Sequence, residues 1–145
     1  MDTIYIETSI VSYLRQRPSS QVVMAARVAS QFVIDEASAG DPLLAADRLA
    51  ALEGVALLPL DPEIAKIADE IMLRAILPPK ARTDALHIAV VAHHRVQYLL
   101  TWNCRHIANG RILPRIHKVL NDLGIPIPII CTPEEMVNYD PEAND

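Results

Sequence analysis

Apolar residues occupy almost every position of Thr83-Asp84-Ala85-Leu86-His87-Ile88-Ala89-Val90-Val91-Ala92. A surface helix shows one apolar stripe, whereas a helix that is apolar nearly all round belongs in a core. Its single carboxylate, Asp84, stands near the start, where a helix N-terminus favours an anion. Around this stretch, short β-prone runs alternate with helical patterns. Ile4-Tyr5-Ile6, Val55 to Leu60 and Gln97 to Trp102 read as strands, and Ile125 to Cys131 as an edge strand, because of its two prolines. Val28-Ala29-Ser30 is a poor strand. Ser9 suits the N-cap of a short helix and Ser20 that of a second, Gln21 to Arg27. Further helices are expected from Gln31 to a stop at Gly40, from Leu43 to Leu52 behind Asp41-Pro42, and from Glu63 to Ile76 behind Asp61-Pro62. Another runs from about Ile112 to Leu123, and Thr132-Pro133-Glu134-Glu135 opens a last short one. The acidic tail from Tyr139 is expected to fray. This alternation predicts the α/β class, a parallel sheet with helices on both faces.

Composition narrows the picture. The 145 residues, 51% hydrophobic and 21% charged, predict one globular domain over 1–145 that buries about two-thirds of its unfolded surface. No apolar run reaches the roughly 18 residues of a membrane span, and the N-terminus lacks a secretory pattern. Cys104 and Cys131 have no metal-ligand spacing and read as free thiols of a reducing cytoplasm. A net charge of −5 argues against holding nucleic acid by bulk electrostatics. It is compatible with acids gathered around a cation and neutralised there.

Glu7 follows the first strand and Asn103 follows the strand Gln97 to Trp102, so both fall at the carboxyl edge of the sheet, where ligands bind. Glu36 shares a helical face with Phe32 and Val33, and Asp84 opens the core helix. Oxygen donors converging from four segments would suit Mg²⁺ or Mn²⁺, which polarise a phosphodiester and lower the pKa of a bound water. Thr8 and Ser9 are candidates for holding a water or a phosphate oxygen, and Arg82, Arg105 and His106 for holding substrate phosphates or balancing the charge of the acids. Trp102 reads as packing rather than as a base-stacking platform. His87 reads as a histidine hydrogen-bonded to a neighbour at the core edge, with the chemistry placed in the first turn of its helix instead.

The segments IYIETS (Ile4 to Ser9), VIDEAS (Val33 to Ser38), TDALHIA (Thr83 to Ala89) and TWNCRHI (Thr101 to Ile107) occur in the order found in PIN domains. Over nearly the whole chain the sequence resembles the toxin-type, VapC-like members of that family from bacterial toxin–antitoxin pairs. The resemblance implies a three-layer α/β/α fold and an Mg²⁺- or Mn²⁺-dependent ribonuclease with a cognate antitoxin and a homodimeric state. By position, Glu7 stands where an aspartate is usual, Glu36 and Asp84 match family acids, and Asn103 replaces a fourth aspartate. An amide donates oxygen without charge, which weakens the hold on a second ion. The chain is also short between Arg27 and Gln31, where the family has a further helical stretch and a strand. The expectation there is a truncated connection or a sequence joined across absent residues.

Two rival readings remain. One is a PIN-like binding module for RNA or protein, its site weakened by the Glu7 and Asn103 changes. The other is a small-molecule phosphohydrolase, for which the chain lacks a nucleophile-bearing loop.

Overall fold

A computed structural model describes residues 2–16 and 26–136. Its centre is a five-stranded, all-parallel sheet of β1 (Thr3–Ile6), β2 (Ala26–Ala29), β3 (Ala56–Leu57), β4 (Tyr98–Leu100) and β5 (Ile129–Cys131), in the order β3-β2-β1-β4-β5. Among the described residues six α-helices cover it: α1 (Thr8–Gln16), α2 (Gln31–Ala37), α3 (Pro42–Ala51), α4 (Pro62–Arg74), α5 (Arg82–His93) and α6 (Leu113–Asp122). Helix α1 packs on α2 and α3, and α4 packs on α5 and α6. This is a three-layer α/β/α architecture.

The middle of the sheet is dry. Ile4, Tyr5 and Ile6 on β1 and Leu99 and Leu100 on β4 have no solvent exposure, as strands covered on both faces require. Helix α5 lies in this core as its all-round apolar pattern predicts, with Ala85 and His87 through Ala92 buried. The local signals place the other helices well. Asp41 accepts from the backbone N–H groups of Leu43 and Leu44, and Asp61 from that of Glu63, each ahead of a proline in the first turn. Thr132 and Glu135 form a reciprocal capping box around a 3₁₀ turn, Pro133–Glu135, rather than opening an α-helix.

Three further expectations change. Ala26 and Arg27, placed in a helix by pattern, belong to β2, and Val28-Ala29 is a true strand. Its register runs Thr3↔Ala26, Ile4↔Arg27 and Tyr5↔Val28 on one side, and Val28↔Ala56 and Ala29↔Leu57 on the other. Two ladders outweigh the modest β-propensity of alanine. The second change is at β3, where only two residues pair and Leu58 adds one bond to Ala29 O. Pro59, which has no N–H, follows at once. Third, α1 starts at Thr8, so Ser9 lies inside the first turn and is not the N-cap. The expected helix from Gln21 falls on residues 21–25 outside the described ones, as does the tail from Tyr139.

Candidate metal centre

Because all strands are parallel, their carboxyl ends share one rim, with Glu7 after β1, Ser30 after β2, Thr101 after β4 and Thr132 after β5. From β1 the chain builds the sheet outward through β2 and β3, then returns to the other flank for β4 and β5. The order therefore reverses between β1 and β4, the point where open α/β sheets leave a crevice. Glu7 and Thr101 stand on its two sides.

Glu7 is only 4% exposed. Its Oε2 accepts from Ser9 N at 3.1 Å, and its Oε1 accepts from the hydroxyls of both Ser9 and Thr101. These hydroxyls accept in turn from Trp102 N (2.8 Å, to Ser9 Oγ) and Asn103 N (2.9 Å, to Thr101 Oγ1). A carboxylate away from water needs such donors. Here they also tie β1, α1 and the segment after β4 to one side chain.

Glu36 reaches the same rim from the last turn of α2. Its Oε1 accepts from Thr8 Oγ1 at 2.7 Å and lies 2.6 Å from Nε2 of the fully buried His87. Partial burial pushes the Glu36 carboxyl up, but the hydrogen bonds from His87 and Thr8 outweigh it, so the net shift is downward. The other ring nitrogen of His87, Nδ1, lies 2.8 Å from the Tyr5 hydroxyl, which is 2.7 Å from Ser30 Oγ. Burial raises the Tyr5 phenol well above its ordinary range, beyond what the Ser30 bond lowers, and the charges of Glu7 and Glu36 add to the rise.

Asp84 sits in the first turn of α5, its side chain 17% exposed, with Oδ2 3.1 Å from His106 Nδ1. Burial raises its carboxyl, against lowering by hydrogen bonds from His106 and Asn103. Asn103 holds the loop after β4, its Oδ1 accepting from Arg105 N at 3.2 Å and His106 N at 3.0 Å.

One ligand atom each of Glu7, Glu36 and His87 lies within 4.8 Å of the others. The two carboxylates offer oxygen donors that fit Mg²⁺ or Mn²⁺, and both nitrogens of the imidazole beside them are engaged, Nε2 with Glu36 and Nδ1 with Tyr5. Of the four expected ligands, Glu7 and Glu36 thus come together directly. Asp84 and Asn103 come together with each other and with His106, and Asp84 lies one turn before His87 on α5. The residues expected to touch substrate are mostly engaged. Thr8 and Ser9 hold the two glutamates, Arg82 pairs with Asp69, and His106 pairs with Asp84. Arg105 is exposed, with no side-chain partner among the described residues. Trp102 packs against the core.

Sequence reasoning placed His87 beside a neighbour but not inside the ligand group, and it passed over Tyr5, Ser30 and Thr101. The available signal was the three-residue spacing of Asp84 and His87, which puts both on one face of a helix that is otherwise apolar.

No protein-family profile matches the sequence, and no curated protein matches it. Among solved structures, the chain is similar to VapBC-5, a member of the VapBC family of toxin–antitoxin systems from Mycobacterium tuberculosis. The TM-score is 0.51 at 16% identity, over 71% of this chain and 86% of that one. It is also similar to VapBC2 from Rickettsia felis bound to a DNA fragment from their promoter, with TM-score 0.57 and 11% identity over 90% of this chain and 98% of that one. At these identities the likeness is one of fold, and the chain carries the PIN-like α/β/α fold of the VapC-type structures.

Proposed function

We propose that this chain is a metal-dependent endoribonuclease, the toxin of a bacterial toxin–antitoxin pair acting in the cytoplasm, built as one PIN-like domain. The observation that carries this reading is the meeting of Glu7, Glu36 and His87 within 4.8 Å at the switch point of a parallel sheet, with Asp84 alongside. The fold likeness to VapBC structures supports it.

Glu7, Glu36 and Asp84 would hold Mg²⁺ or Mn²⁺, with Asn103 assisting. A bound ion supplies activation of water and neutralisation of charge on the phosphodiester. The chain's own part is to keep the acids in place before the ion arrives. Ser9 and Thr101 fix Glu7, Thr8 and His87 fix Glu36, and His106 and Asn103 fix Asp84. Arg105 is free to meet an RNA phosphate. Exposed apolar side chains, among them Leu43 (82%), Leu73 (75%) and Ile76 (74%), offer surface to an antitoxin and to a second copy.

A second reading is a binding module without activity. It is favoured by Asn103, whose only side-chain oxygen is spent on two backbone N–H groups. Calorimetric titration with Mn²⁺ and Mg²⁺, paired with RNA cleavage with and without chelator, separates the two. Cleavage that the chelator abolishes is the expected result. RNA binding without cleavage at saturating Mn²⁺ selects the second reading.

A further inference from the structure

We propose that His87 is the positioning residue for Glu36, aimed by a buried line of hydroxyls through Tyr5 to Ser30. The inference rests on Glu36 being a metal ligand.

The line joins four side chains. Ser30 Oγ lies 2.7 Å from Tyr5 OH, Tyr5 OH 2.8 Å from His87 Nδ1, and His87 Nε2 2.6 Å from Glu36 Oε1. Ser30, Tyr5 and His87 all have no exposure. An ionised carboxylate only accepts, so Nε2 carries a proton and donates it to Glu36. In the neutral ring Nδ1 then accepts, which makes Tyr5 its donor and Ser30 the donor to Tyr5. Every bond in the line points toward Glu36, and a single tautomer satisfies it. The ring is also held by its neighbours. Tyr5 meets it at 5.7 Å between centroids and 60°, and Phe32 at 6.4 Å and 87°.

Stability alone does not call for this line. The Glu36 side chain is 38% exposed and can be solvated without a buried partner. A polar line through a core is no better than well-packed apolar residues unless it fixes something. What it fixes is one oxygen. The bonds from His87 and Thr8 both fall on Glu36 Oε1, which leaves Oε2 uncommitted by them and the carboxylate plane set. This is the arrangement by which groups behind a ligand aim it at an ion.

The test is Mn²⁺ binding by calorimetry, without RNA, to wild type, Tyr5→Phe, Glu36→Gln and the double variant. Tyr5→Phe should weaken Mn²⁺ binding about tenfold while unfolding stays a single transition. In the Glu36→Gln background it should have no further effect, since a positioning residue acts only through what it positions. Ser30→Ala, a smaller change at the far end, should give a weaker loss that also vanishes with Glu36→Gln, and it serves if Tyr5→Phe does not fold. Unchanged affinity in the single variants, or effects that add in the double variant, overturns the inference. So does ¹⁴N coupling from a ligated imidazole in the electron paramagnetic resonance of Mn²⁺-loaded wild type. Wild type that binds Mn²⁺ but cleaves no RNA defeats the ribonuclease reading alone, whereas cleavage with a wild-type-like Tyr5→Phe defeats this inference alone. Wild type that binds no Mn²⁺ overturns both.

Discussion

Asp84 Oδ2 lies 3.1 Å from Nδ1 of His106, so the acid that opens the core helix is tied to the loop leaving β4. Burial raises the Asp84 carboxyl in the folded chain. The fold therefore binds a proton here more readily than the unfolded chain does. Without metal, this group's contribution to stability falls as pH rises from the unfolded toward the folded pKa and stays reduced above it. Asp84→Asn should accordingly abolish metal-dependent RNA cleavage while melting no lower than wild type at pH 7. The melting difference should shrink as pH falls, read by thermal unfolding from pH 7 to pH 4 in the presence of chelator. Full cleavage by the variant would remove Asp84 from the site.

The two arginines near the site differ in what already holds them. Arg82 pairs with Asp69, while Arg105 has no side-chain partner among the described residues. Arg105→Ala should lower RNA affinity and reduce the salt slope of binding by about one. Arg82→Ala should change that slope by much less. Fluorescence anisotropy with labelled RNA across a salt series distinguishes them, and equal slopes for the two variants would contradict the assignment.

Cys104 is exposed and Cys131 buried, with burial and then the charge of Glu135 pushing the Cys131 thiol up to about 11. A disulfide reagent at pH 8 should label one thiol rapidly in the native protein and two in denaturant, because the thiolate is the reactive form. Cys104→Ser should remove the rapid phase.

Two positions calibrate the fold. Leu99 is fully buried on β4 between β1 and β5, and Leu99→Ala should cost about 3 kcal/mol by urea unfolding. Asp41→Ala removes two hydrogen bonds at the start of α3 and should cost about 1 kcal/mol. A larger loss at Asp41 than at Leu99 would mean that the core around β4 is not packed as described.

Features that depend on neighbours in the chain were readable from sequence. The Asp-Pro starts of α3 and α4, the all-round apolar α5 and the turn glycines Gly40, Gly54 and Gly124, each at positive φ, are all of this kind. β2 was not readable, because its strand character comes from ladders to β1 and β3 and not from Ala-Arg-Val-Ala itself. The acids were readable as element ends. Their support was not, because Tyr5 and His87 stand 82 positions apart and Glu7 and Thr101 stand 94 apart. Only the packed sheet brings them together. Ser9 shows the same limit from the other side, since a hydroxyl suited to a helix cap is spent on Glu7 instead.

The parallel sheet divides the molecule for an engineer. The acids, hydroxyls and histidines described above gather where the strands leave the sheet. The other rim holds the Arg95 turn, with its positive φ, and the bond from Thr3 N to Gln97 Oε1. A reporter or a new pair of chain ends placed at that turn would interrupt none of the bonds that aim the acids.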